Sequence, residues 1–182
     1  MMEKREKASK IHSFIFFILF LFFLLQIASP FSQPKSTLTD LSGVTVLIDN
    51  EDHWSKMDHP WQDIYRFGDI LCHTKSNRSY FLNGNQLPFC ARCTAIWLGL
   101  SIGLGLMIFF KIRNHFLFLT GFIFSIGLLG VDGFGQLLKL WESTNELRMI
   151  TGLTVGVFTG MAIGLIIDEI RGLKKEKEIK KL

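Results

Sequence analysis

Four apolar runs without Asp, Glu, Lys or Arg dominate the pattern of the chain. The runs cover residues 11–28, 94–110, 116–131 and 149–167. A helix needs roughly 20 apolar residues to cross the hydrocarbon core of a bilayer, so the third run is expected to continue beyond Val131. We therefore predict an all-α integral membrane protein, built as a bundle of about four transmembrane helices.

The first run allows two interpretations. Four basic residues precede it, as basic residues also do in a secretory signal peptide. The end of the run, at residues 26–28, is a poor match to the small-x-small cleavage site of such peptides. We therefore favour a retained first transmembrane helix at residues 11–28, with a signal sequence as the alternative.

The longest stretch outside the predicted spans lies between the first two of them and divides into two parts. Residues 29–60 are predicted to be an external linker, because they open on a Pro- and Ser-rich stretch, with a short β-like run at 43–48. Residues 61–93 form a segment that carries the Cys and His residues. Apolar residues at helical spacing over 61–72 predict an amphipathic helix on the membrane surface. A tight turn is predicted at 83–85.

Residues 94–167 are predicted to form a three-helix transmembrane bundle, and glycine recurs at every fourth position in two of its helices. Small residues four apart let another helix backbone approach closely, which is how membrane helices pack. We expect these rows to pack inside the bundle rather than between two copies of the chain, and we predict no particular oligomeric state. The rows are Gly99 and Gly103, and Gly152, Gly156, Gly160 and Gly164.

The placement of the basic residues predicts how the chain is oriented in the cell membrane. Twelve of the 20 Lys and Arg residues lie before the first span, between the second and third spans, or after the fourth. Such an excess marks the cytoplasmic side, so the N-terminus at residues 1–10 and the basic tail at 168–182 are predicted to be cytoplasmic. The net charge of +4 thus reflects topology. The lipid bilayer is the expected partner, and no nucleic acid is expected.

The three cysteines of the chain and one histidine form the motif that best indicates chemistry. Cys72 and His73 are followed, after sixteen intervening residues, by Cys90 and Cys93 in a Cys-x-x-Cys pair. Soft thiolates plus an imidazole, in tetrahedral number, are typical of a closed structural zinc site. These four residues are therefore the predicted metal ligands.

Further interpretations of the cysteines stay open. Because the Cys and His of the first pair are adjacent in sequence, His53 or His59 is an alternative fourth ligand. Thiols outside the cytoplasm tend to oxidise, so Cys90 and Cys93 are also candidates for a redox-active disulfide with Cys72 as the resolving partner. In a third interpretation the cysteines only pack or staple the external segment.

Three polar clusters, far apart in sequence, lie at span ends on one membrane face. Ionisable groups at such positions tend to face the bundle interior and pair, so Asp132 is expected to pair with Arg148 or Arg92, unless it only caps its helix. A carboxylate between two arginines can bind an anionic lipid head group or a phosphate, or act as an acid or base. The candidate catalytic or binding residues are Arg92, Asp132, Gln136 and Arg148.

The segment around the cysteines resembles the signature of the DUF2085 family of uncharacterised predicted membrane proteins. That signature contains Cys-His, an Arg-Ser pair and Pro-x-Cys-Ala-Arg-Cys-Thr, which residues 72–73, 78–79 and 88–94 match. Residues around Asp132 and Arg148 resemble later motifs of the family. The resemblance implies a multi-span protein with a Cys- and His-bearing segment, and no established activity.

Two functional hypotheses follow from these features. In the first, the Cys/His site of a binding or assembly protein holds zinc or a disulfide staple over a polar pocket at the outer membrane interface. In the second, the protein is a membrane enzyme with thiol-redox or lipid-directed chemistry, in which the cysteine pair is the redox centre or Asp132 is the acid or base. Whether the protein is an enzyme stays open at this level.

Overall fold

The computed structural model describes residues 2–5 and 7–179, with side chains up to residue 173. Four long helices form a bundle, and each is long and apolar enough to span a membrane. The predicted fold class, an all-α membrane protein with four spans, is therefore confirmed. In chain order, the elements are β1 (Met2–Lys4), α1 (Lys10–Ala28), α2 (Glu51–Trp54), α3 (Trp61–Leu71), β2 (Phe81–Leu82), β3 (Asn85–Gln86), α4 (Ala91–Phe109), β4 (Phe110–Ile112), α5 (His115–Leu137) and α6 (Asn145–Ile179).

Helices α4 and α6 form the centre of the bundle, and their glycine rows face each other. A Cβ atom on Gly156 would lie 2.9 Å from the Cα of Gly99 and would overlap the carbonyl of Ile96. A Cβ on Gly103 would lie 2.9 Å from the backbone nitrogen of Met161. The two backbones are thus in direct contact, as small residues permit. The predicted packing of the rows inside the bundle is confirmed.

The other two long helices lie on either side of this pair. Helix α1 packs on α4, and α5 packs on α6, where the rings of Phe118 and Phe158 are 6.0 Å apart. Large apolar side chains such as Phe14, Phe17 and Phe124 are well exposed on the outward faces of α1 and α5. A broad exposed apolar surface is expected for helices that face hydrocarbon instead of water.

The segment between α1 and α4 folds over one end of the bundle. Residues from the stretch predicted to be a linker, 29–60, contribute Leu38, Leu41 and Trp54 to a buried core. The buried carboxylate of Asp69 accepts hydrogen bonds from the Asn50 backbone amide (3.0 Å), the Asn50 side chain (2.8 Å) and the Trp54 indole (3.1 Å). These contacts join both halves of the segment into one packed unit.

The predicted β-like run at 43–48 is wrong. These residues form a turn in which Val46 has a positive φ of 72°, and the Asp49 carboxylate closes the loop by accepting from the Val44 amide at 2.6 Å. Val44 and Val46 point outward, so the apolar residues that suggested a strand are not drawn into a sheet. Strand propensity depends on packing against a neighbouring strand, and these residues pair with none in the described part of the chain.

The predicted helix over 61–72 and the predicted turn over 83–85 are both confirmed. Helix α3 occupies Trp61–Leu71, and a two-residue turn joins β2 to β3. Asn83 and Gly84 have φ values of 53° and 71°, as a type I′ hairpin turn requires. The side chain of Asn85 then bonds to the Pro30 carbonyl at 2.8 Å and the Leu38 amide at 2.9 Å. The hairpin is thereby tied to the chain that leaves α1.

Candidate functional site

The three cysteines come together where α3 ends and α4 begins. Cys72 directly follows α3, Cys90 is the residue before α4, and Cys93 lies in the first turn of α4. Their sulfur atoms all lie within 4.8 Å of one another, and all three thiols are free. The Cys90 backbone amide donates to the Cys72 sulfur at 3.4 Å. Two segments separated by the hairpin thus meet at one thiol cluster.

A close backbone approach brings the end of α3 to this position. Gly68, one turn before Cys72, lies directly against the backbone of Pro88, two residues before Cys90. A Cβ on Gly68 would overlap the Pro88 carbonyl and would lie 3.2 Å from the Pro88 Cβ. Glycine is therefore required at this crossing, because any larger residue would push the two cysteine-bearing segments apart.

The histidines differ in how close they lie to the thiols. His73 is half-buried, and its Nδ1 lies 3.7 Å from the Cys72 sulfur, but it falls outside the group whose donor atoms are all within 4.8 Å of one another. His59 is exposed and bonds to Asp63 at 2.6 Å. His53 lines a small cavity beside Trp54. Of the histidines considered as ligands, His73 alone adjoins the cluster.

The environment favours one thiolate within the cluster. Hydrogen bonds from the thiols of Cys72 and Cys93 hold the pKa of Cys90 well below its usual range. The hydrogen bond with Cys90 in turn raises the pKa of Cys72 to about 11. Cys90 also stands at the N-terminus of α4, where the helix dipole stabilises negative charge. Burial lowers the pKa of His73, so its imidazole is neutral near pH 7 and has one unprotonated nitrogen that can act as a ligand.

The spacing of the sulfurs suits a metal ion. In a tetrahedral site with Zn–S bonds of about 2.3 Å, sulfurs lie roughly 3.8 Å apart, so small side-chain rotations suffice to bring the three thiols to that distance. Cys72 and Cys90 are 2% and 3% exposed, and the rings of Phe22 and Phe89 pack against the cluster. A hydrophobic shell of this kind limits the access of solvent to a metal site. The three cysteines can therefore hold a metal ion.

Cys93 differs from the other two cysteines in its access. It is partly exposed and lines an apolar cleft of about 190 Å³. The other walls of this cleft come from the end of α3, from the loop before α4 and from the first three turns of α4. The cleft residues are Leu71, Phe89, Ile96, Trp97 and Leu100.

The predicted polar residues meet beside the cluster. Arg92 forms an ion pair with Asp132, which is 3% exposed, so of the two pairings considered for this carboxylate the structure has the one with Arg92. Arg148 donates to the side chain of Gln136 at 3.1 Å and to that of Asn145 at 2.9 Å. Gln136 donates to the Asp132 carbonyl at 3.1 Å, which links the two arginines through α5.

Sequence reasoning missed Arg78, which belongs to the same polar region. It ends a 3₁₀ turn after Cys72 and lines an open cleft of about 410 Å³ together with Gln136. Its Nε is buried without a hydrogen-bond partner, as are Nε of Arg92 and Oδ1 of Asp132. The Arg-Ser pair that resembles the family signature was the signal that pointed to this residue.

A second polar cluster, also missed, closes the opposite end of the bundle. His12 is fully buried and bonds to the Ser9 hydroxyl at 2.6 Å and the Gly164 carbonyl at 3.0 Å. Arg5 pairs with Asp168, and its Nε donates to the Met107 carbonyl near the end of α4 at 2.9 Å. A histidine inside an otherwise apolar run was the available signal. The side chains from residue 174 onward, most of the predicted basic tail, lie outside the described residues.

Comparisons with known proteins agree with this architecture. A family model described as a predicted membrane protein, DUF2085, matches residues 72–166. The uncharacterized protein MJ1492 of Methanocaldococcus jannaschii is 37% identical over 95 residues, and the match covers 51% of this chain and 61% of that protein. An uncharacterized protein of Methanothermobacter thermautotrophicus is 34% identical over 101 residues, covering 51% of this chain and 82% of that protein. No solved structure matches the chain. With the family model spanning more than half of its length, including all three clustered cysteines, the chain belongs to the DUF2085 family of predicted membrane proteins.

Proposed function

We propose that this protein is a binding or assembly protein of the cell membrane in which Cys72, Cys90 and Cys93 bind one zinc ion. The observation that carries the proposal is the meeting of three free thiols, from two separate chain segments, within 4.8 Å of one another. Soft thiolates select soft or borderline metals, and zinc has the tetrahedral preference that three thiolates and one nitrogen satisfy. His73 is the proposed fourth ligand, because its Nδ1 lies 3.7 Å from the Cys72 sulfur.

The role of the ion is to fix the external segment on the bundle. The ligands join the end of α3 to the start of α4, so the ion crosslinks the folded segment to the first turn of a membrane helix. Binding of a metal to a site that exists only in the folded protein adds its free energy to folding. The same crosslink holds the segment that carries Arg78 close to Arg92 and Asp132.

Elemental analysis tests the metal directly. Protein purified anaerobically in detergent should contain about one zinc per chain. After denaturation with a chelator it should show three free thiols. No metal together with a single free thiol would contradict the proposal and would establish a disulfide in its place.

Thiol-redox chemistry is the second candidate, and the access of Cys93 favours it. Cys93 lines the apolar cleft of about 190 Å³, which a lipid-soluble electron acceptor of the quinone class could enter. Oxidation of Cys90 and Cys93 to a disulfide would transfer two electrons and two protons to that acceptor, which would leave as the quinol. Protein whose thiols stay reduced when incubated with a soluble quinone would rule this candidate out.

We further propose that the cysteine end of the bundle is external and that the Arg5–Asp168 end is cytoplasmic. The basic residues before α1 and those between α4 and α5 support this orientation under the positive-inside rule. An impermeant thiol reagent should label a cysteine at exposed Lys56 in intact cells. It should label one at exposed Arg113 only after lysis. The reverse labelling pattern, relative to the wild-type background, would invert the orientation.

A further inference from the structure

The polar region beside the thiol cluster contains more positive than negative charge. Arg92 has a carboxylate partner in Asp132, whereas Arg148, only 5% exposed, bonds to the neutral side chains of Gln136 and Asn145. Within the described residues, no carboxylate lies within 4.0 Å of the guanidinium groups of Arg148 or Arg78. A buried charge without a counter-charge is costly, so the region requires an anion.

Zinc binding does not remove this excess. A zinc ion held by three thiolates and a neutral histidine carries one net negative charge, and Asp132 carries another. Three guanidinium groups in the same region therefore keep at least one uncompensated positive charge. The inference below rests on the proposed function in two respects: zinc and its ligands enter this sum of charges, and the zinc crosslink positions Arg78 and Arg92.

Unsatisfied donors in the same region point to the type of ligand. The Nε groups of Arg78 and Arg92 are buried and have no acceptor. Buried polar groups in folded proteins almost always have partners, so orphan guanidinium donors indicate a ligand with several acceptor oxygens. The guanidinium fork matches the oxygens of a phosphate group in particular.

We propose that Arg78, Arg92 and Arg148 form a binding site for a phosphate group. The open cleft of about 410 Å³ that Arg78 and Gln136 line supplies the entry. Lys139 and Glu142 also line this cleft and offset each other in charge, so the excess positive charge there comes from Arg78. Gln136 connects the cleft to the deepest arginine, because it accepts a hydrogen bond from Arg148 at 3.1 Å.

The phosphate has two potential sources, a phospholipid head group and free phosphate in solution. The site lies at the ends of three membrane helices, where head groups are found. A separate apolar cleft of about 310 Å³ opens at the first turns of α4 and α6, and Ala91 and Met149 in its lining directly adjoin Arg92 and Arg148 in sequence. This cleft lies at the same end of α4 and α6 as Arg92 and Arg148 and favours a lipid, since it offers space for part of an acyl chain.

The test measures binding to the zinc-loaded full chain in detergent by native mass spectrometry. The probes are dioleoylphosphatidylglycerol, inorganic phosphate, and dioleoylglycerol, which has the same acyl chains and no phosphate. We expect saturable binding of one phosphatidylglycerol and no comparable binding of dioleoylglycerol. Displacement of the lipid by inorganic phosphate would make free phosphate a ligand of the same site, whereas no displacement would identify the lipid as the source.

Matched variants assign the site to the arginines. Arg78→Gln should weaken phosphatidylglycerol binding by about tenfold or more, which corresponds to about 1.4 kcal/mol. The Nε of Arg78 has no hydrogen-bond partner, and no ion pair involves its guanidinium group in the described residues, so this variant should fold normally. Arg148→Gln should have a similar effect, while Lys56→Gln, which removes an exposed charge elsewhere, should bind phosphatidylglycerol as the wild type does.

Two results would overturn the inference. One is that all three variants bind phosphatidylglycerol equally well, and the other is that the wild type binds phosphatidylglycerol and dioleoylglycerol equally well. The zinc content of each sample separates this failure from a failure of the proposed function.

Discussion

Replacement of Cys90 by serine should eliminate zinc binding and lower the melting temperature of the full chain by roughly 8–16 °C. The reason is linkage: an ion present at 1,000 times its Kd stabilises the folded state by about 4 kcal/mol. Each kcal/mol corresponds to about 2–4 °C for a chain of this size. Cys90 should be the most sensitive position, because it receives hydrogen bonds from both other thiols and stands at the N-terminus of α4.

The control for this prediction is the chelator itself. A zinc chelator should lower the melting temperature of the wild type to that of Cys90→Ser and should leave the variant unchanged, because both treatments remove the same interaction. A melting temperature that responds to a reducing agent and ignores the chelator would contradict the metal site. His73→Ala tests the fourth ligand, since it should weaken zinc binding while the three thiols keep part of the affinity.

Replacement of Gly156 by leucine should prevent the bundle from assembling. The first side-chain atom alone would overlap the Ile96 carbonyl and lie 2.9 Å from the Gly99 Cα. Both of these neighbours are helix backbone, which cannot rotate away as a side chain can. The cost should therefore exceed the roughly 1–3 kcal/mol that is usual for overpacked side chains. Size-exclusion chromatography and thermal unfolding of the detergent-purified protein should detect the loss.

Gly127 provides the matched control for this substitution. It lies in the membrane span α5 and is exposed, and a Cβ added there would meet no atom within 4 Å. Gly127→Leu should therefore leave the yield and the melting temperature close to those of the wild type. If the two leucine variants behaved alike, the close packing of α4 on α6 would be wrong.

The thiol cluster was partly accessible from the sequence. Cys90 and Cys93 stand three residues apart at the start of a helix, which by itself brings their side chains near each other. That Cys72 joins them depends on the crossing of Gly68 over Pro88, which no local pattern encodes. The sequence predicted His73 as a ligand although its adjacency to Cys72 spoke for His53 or His59, and the structure places the His73 imidazole beside Cys72 but outside the compact group of sulfurs.

The polar region illustrates the same limit. Hairpin connectivity was enough to predict that Arg92, Asp132 and Arg148 meet at one membrane face. It could not decide which arginine pairs with the carboxylate, because that choice depends on the rotation of each helix about its own axis. Arg78 was overlooked as a site residue because it lies in a short turn of the segment between α1 and α4, and only the fold of that segment brings it to the cleft with Gln136.

The sequence by itself determined the four spans, the glycine rows that let helices pack closely, and the hairpin turn at Asn83 and Gly84. Each of these is a local property, since hydropathy over about 20 residues, the absence of a Cβ and the preference for positive φ act where they occur. The tertiary structure alone decided that the stretch at 29–60 is packed and that 43–48 is not a strand. It also decided that three thiols come together and that Arg92, not Arg148, pairs with Asp132. Those outcomes depend on which surfaces the segment between α1 and α4 buries, and burial is settled only when distant residues come together.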